Sequence, residues 1–83
     1  MKLTISNRLL NEISLFMKED GYNSIAKEYI DPIVAETAGK GLVNATIESE
    51  SIIGDIQFFI GKMEKQGNRA VRLIEQHLQI AAA

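Results

Sequence analysis

The chain contains no cysteine, so no disulfide holds it together, and with one histidine beside no thiol a closed structural zinc site of N and S ligands is out of reach. It has no tryptophan and only one proline. Its longest apolar runs, such as Ile52-Ile53 and Phe58-Phe59-Ile60, fall far short of the roughly 20 residues that span a bilayer. The N-terminus, Met1 to Arg8, lacks the apolar centre and cleavage site of a secretory signal, which makes a cytoplasmic location the expectation. Asn44-Ala45-Thr46 fits the glycosylation acceptor pattern, but the pattern has no use without a secretory route.

What is present describes a small folded domain. At 83 residues, 46% hydrophobic and 24% charged with a net charge of -2, the chain is too apolar for a disordered tail. A domain of this size buries only about 60–65% of its unfolded surface, and its core seldom supplies more than about 3–5 kcal/mol. Disulfides and zinc being excluded, self-association or a partner is the remaining support. One domain over residues 1–80 is expected, with the alanines 81–83, either native or a cloning scar, set aside from the fold.

Helical periodicity dominates. Leu9, Leu10, Ile13, Phe16 and Met17 gather on one face, with Thr4 or Ser6 as cap and Gly21 as stop. Ile25, Ala26, Tyr29, Ile30, Ile33, Val34 and Thr37 form a second stripe that keeps register past Pro32, so a helix kinked or broken there is expected, ending at Gly39-Lys40-Gly41. Ile52, Ile53, Ile56, Phe59, Ile60 and Met63 lie within about 120° of arc and mark a central core helix. Ala70, Val71, Ile74 and Leu78 mark a last helix after Gly67-Asn68, unless one helix of nearly 30 residues runs straight through the glycine. Residues 2–6 and 42–51 alternate as strands do, but an isolated strand pair is marginal, and 42–50 is read as helix or loop. The expected fold is therefore all-α: a compact antiparallel bundle of three or four helices, at about 5–20, 24–38, 47–66 and 69–79.

Catalytic patterns fail one by one. His77 has no Cys, Ser or carboxylate pair at triad or ligand spacing and reads as a lone surface or half-buried histidine. The carboxylates Glu19, Asp20, Glu48, Glu50 and Asp55 read as solvated helix ends, since acid–base chemistry needs a cleft that a bundle of this size rarely forms. Around Gly39-Lys40-Gly41 the phosphate-loop pattern breaks down, with Val34 at the first glycine position and Gly41 at the hydroxyl position. Ala35 and Gly39 have helix-turn-helix spacing, yet the following helix would carry Glu48 and Glu50 towards the phosphates. The protein is expected to be no enzyme, with no cofactor, no metal and no small-molecule substrate.

Two surface features remain. Phe58 points about 100° beyond the apolar arc of the central helix, between Gly54 and Gly61. Glycine in a helix interior costs about 1 kcal/mol relative to alanine, and close approach of another helix is one reason to keep it. That helix belongs either to the same chain, making Phe58 ordinary core, or to another molecule. The preferred reading is a non-enzymatic adaptor, inhibitor or assembly factor that forms a homodimer or binds a protein partner through Gly54, Phe58 and Gly61, with Lys62 and Lys65 as a polar rim. The alternative is a small nucleic-acid-binding regulator using Lys62, Lys65, Arg69 and Arg72, which a continuous helix would align at spacings of three, four and three.

Overall fold

The computed structural model describes residues 2–67 and, for its backbone, 78–81. It shows a two-layer α+β domain and not an all-α bundle. Strand β1 (Lys2–Ser6) leads into helix α1 (Asn7–Glu19), followed by the short α2 (Asn23–Ile25), a π-helical turn (Ala26–Ile30) and α3 (Asp31–Gly39). Strand β2 (Asn44–Ile47), helix α4 (Glu50–Lys65) and strand β3 (Leu78–Ala81) complete the order. The sheet has three strands in the order β2-β1-β3, both outer strands antiparallel to β1.

Three expectations are corrected here. The bundle gives way to a sheet because the strand pair is not isolated. β1 is paired along both edges, and its Leu3 and Ile5, with Ala45 and Ile47 of β2, are buried with the helices. That removes the marginality on which residues 42–50 were read as helix or loop. The helix expected at 69–79 mostly lies outside the described residues, but Leu78 and Gln79 are strand, pairing with Ile5 and Thr4. β3 runs on to Ala81, which pairs with Lys2.

Alternation places Lys2, Thr4, Asn44 and Thr46 on the other sheet face, which is polar throughout its described side chains. The core is built from the sheet residues together with Leu9, Leu10, Ile13 and Met17 of α1, Ile30 of the π turn, and Ile53, Ile56, Phe59, Ile60 and Met63 of α4. Each long helix starts on a serine: Ser6 Oγ accepts from the Leu9 amide at 3.1 Å and Ser49 Oγ from the Ile52 amide at 3.4 Å. α1 ends at Gly21, whose φ of +89° lets the Tyr22 amide reach back to the Met17 carbonyl at 2.8 Å.

Pro32 sits in the first turn of α3, directly after the π turn. In an unbroken α-helix its ring would collide with the Glu28 carbonyl. The chain instead inserts a wider turn, in which the Asp31 amide bonds to the Ala26 carbonyl five residues back. Ala26 and Ile30 thereby stay in the core on one side of the proline, with Ile33 and Val34 packed against it on the other.

Candidate functional site: the exposed face of helix α4

Helix α4 has two sides. Its amphipathic stripe turns Ile53, Ile56, Phe59, Ile60 and Met63 into the core. The face that carries Gly54, Phe58, Gly61, Lys62 and Lys65 is turned outward. Phe58 is 57% exposed. A methyl group added at Gly54 or at Gly61 would meet nothing within 4 Å among the described residues. No described helix of the same chain covers Phe58, and residues 68–77, where the last helix was expected, lie outside the described residues.

Phe58 does not stand alone. Its ring meets that of buried Phe59 edge-on, with centroids 5.2 Å apart and planes at 86°. Phe59 also meets Tyr22 at 4.9 Å and Phe16 at 6.3 Å, both edge-to-face, which is the favoured arrangement of aromatic quadrupoles. Phe58, Phe59 and Tyr22 thus form a continuous aromatic surface, buried at Phe59 and open to solvent at Phe58 and at Tyr22, which is 38% exposed.

Lys62 crosses this surface. Its Nζ lies 5.5 Å from the Tyr22 ring centre, 5.6 Å from Phe58 and 5.9 Å from Phe59, within cation–π range of all three. The same Nζ donates to Asp20 Oδ2 at 2.5 Å. That hydrogen bond holds the ammonium pKa above its ordinary value, with the carboxylate's charge acting in the same direction. Lys62 is therefore a clamp joining the end of α1 to α4 and not a freely swinging rim charge.

Lys65 is exposed in the last turn of α4. The helix stops there, and Gly67 follows with a φ of +65° that is left-handed and breaks helical continuation. The continuous helix needed to align Lys62 and Lys65 with Arg69 and Arg72 is therefore absent. Arg69, Arg72 and His77 lie outside the described residues.

Sequence reasoning read Asp20 as a solvated helix end and missed Tyr22. Their available signal was local: an acidic residue and an aromatic flank Gly21, in a turn where no core stripe asks for a ring. Their partner Lys62 is 42 residues from Asp20, beyond any periodic pattern. Among the described residues no group of three or more His, Cys, Asp or Glu side chains is disposed to hold a metal, and no helix is long and apolar enough to cross a membrane. The chain matches no family model, no curated protein and no solved structure.

Proposed function

We propose that the protein is a non-enzymatic protein-interaction module, an adaptor, inhibitor or assembly factor, whose recognition face is the outer side of α4. The observation that carries this reading is Phe58, 57% exposed on a ready-made aromatic surface and flanked by two glycines with open space above them. The clamp of Lys62 on Asp20 holds Tyr22, Phe58 and Phe59 in place before any partner arrives, so little side-chain ordering remains to oppose binding. Rigid aromatic side chains set in this way are common anchors of protein interfaces. The partner that fits is a protein with an apolar ridge seated against the bare backbone at Gly54 and Gly61 and a carboxylate opposite Lys65.

Phe58→Glu tests the proposal. The side chain is outside the core, so the variant is expected to keep the wild-type circular dichroism and to lose only the modest stability of its contacts with Phe59 and Lys62. Loss of an aromatic anchor typically costs about 2 kcal/mol or more, about thirtyfold in affinity. Capture from host extract and light scattering, run on both proteins, read the result. If both retain the same partners and the same mass, the α4 face is not the interface.

A nucleic-acid role would rest on Lys65 with Arg69 and Arg72, since Lys62 is already engaged by Asp20. Counterion release would make such binding fall steeply with salt, and a salt titration separates the two classes.

A further inference from the structure

The sheet has an open edge at β2. β2 is an outermost strand, and its register with β1 determines where its backbone groups point. The Asn7 amide donates to the Val43 carbonyl at 2.9 Å, one step beyond the pairs Ser6↔Asn44 and Ile5↔Ala45. Hydrogen-bonded pairs alternate along an antiparallel ladder, so the N–H and C=O of Val43, Ala45 and Ile47 face β1. Those of Asn44 and Thr46 face away from the sheet, and no described residue bonds to them.

Native sheets usually guard such edges with charge, proline, a bulge or brevity, and of these β2 has only the last, at four residues. The run Leu42-Val43-Asn44-Ala45-Thr46-Ile47 has no charged residue and no proline, and the pairing of Asn44–Ile47 to β1 is unbroken. It is led by Leu42 and Val43, which are 55% and 77% exposed. Beside the strand a cleft of about 220 Å³ opens between α3 and β2, lined by Ile33, Thr37, Leu42, Asn44 and Thr46 among others.

We infer that β2 pairs antiparallel with β2 of a second copy, about a two-fold axis at Ala45, joining two three-stranded sheets into one. The backbone is self-complementary in that register. Asn44 falls opposite Thr46 of the second copy, and both present their outward N–H and C=O. Charge selects the antiparallel sense. The segment is preceded by Lys40 and followed by Glu48 and Glu50, so a two-fold axis brings each basic end towards an acidic one, whereas parallel pairing would stack like charges. Lys40, beside Glu36 at 3.0 Å, and Glu48, 3.9 Å from Lys2, are both exposed and free to adjust. Val43, in phase with Ala45 and Ile47, comes opposite Ile47 of the second copy, which gives this exposed apolar side chain a neighbour. The inference is independent of the α4 proposal.

Light scattering across a concentration series, on wild type, Thr46→Pro and Phe58→Glu, tests it. Thr46→Pro removes an outward N–H while leaving the bonds to β1 intact, and proline is tolerated on an edge strand. Wild type and Phe58→Glu are expected to be dimers, and Thr46→Pro a folded monomer with unchanged circular dichroism. Amide exchange on the wild type gives a readout that needs no variant: the Asn44 and Thr46 amides are expected to slow by about tenfold or more as dilute protein is concentrated. A wild type that stays monomeric, a dimer that survives Thr46→Pro as a folded protein, or Asn44 and Thr46 amides that exchange equally fast at every concentration overturns the inference. The first of these would leave the edge to an extended segment of a different protein, and a dimer lost only in Phe58→Glu would move self-association to α4.

Discussion

Gly54 and Gly61 are expensive residues in the places they occupy. Both lie inside a 16-residue helix, and a methyl group at either would touch nothing within 4 Å. Packing among the described residues therefore gives no reason to prefer glycine over alanine, and alanine would restrict the unfolded chain and favour the helix. Gly54→Ala and Gly61→Ala are each expected to stabilise the isolated protein by about 0.5–1 kcal/mol. Chemical denaturation reads this as a higher midpoint at unchanged slope. If the glycines are kept for close approach of a partner at the Phe58 face, the same substitutions weaken capture of that partner while the protein becomes more stable. Gains in both properties would show that the bare backbone serves no contact.

At the scale of the element, the segment that needs most support is the π turn and the start of α3, where α-helical bonding is interrupted. Asp31 supplies that support. Its Oδ1 accepts from the buried Ser14 hydroxyl at 2.5 Å, and its Oδ2 from Lys18 Nζ at 2.7 Å, so the junction is fastened to α1. The Lys18 hydrogen bond, followed by that from Ser14, holds the Asp31 carboxyl below its ordinary value of 3.8. A carboxylate whose folded pKa is depressed adds stability that is present above the unfolded value and lost as the pH falls through the lowered one. The loss therefore begins near pH 4 and continues below it. Asp31→Asn keeps an oxygen to accept from Ser14 but has no charge for Lys18. It is expected to be less stable at pH 7 by about 1 kcal/mol or less, the pair being partly exposed and screened. The deficit should shrink as the pH falls below about 4 in parallel thermal melts. An offset that stays constant across that range would mean that the charge contributes nothing.

For the whole molecule, what the sequence revealed and what it hid divide along the distance between interacting residues. The stripes of α1 and α4 were readable because Leu9, Leu10, Ile13, Phe16 and Met17, or Ile53, Ile56, Phe59, Ile60 and Met63, report on a face within one segment. Phe58 was readable as the residue that left its stripe. The strands β1 and β2 were visible only as an alternation that was set aside, because the pattern of Leu3 with Ile5 and of Ala45 with Ile47 acquires weight only when the two segments meet some 40 residues apart, as Leu3↔Ile47 and Ile5↔Ala45 do. β3 was still better hidden, since Leu78 continues a helical period and Ala81 looked like a tail, and only β1 at the opposite end of the chain makes them a strand. That dependence is open to direct measurement. In β1 the backbone groups of Leu3 and Ile5 face β2, so those of Thr4, opposite Gln79, face β3. A chain ending at residue 77 would lose that partner and leave β1 paired along one edge. Amide exchange of the shortened protein is expected to show Thr4 exchanging at nearly the rate of an open strand edge, while Ile5, bonded to Ala45, keeps more of its protection. Global stability should fall as well, because the central strand that carries Leu3 and Ile5 into the core is then fastened from one side only. Unchanged protection at Thr4 would remove β3 from the sheet and leave a two-stranded ribbon under the helices.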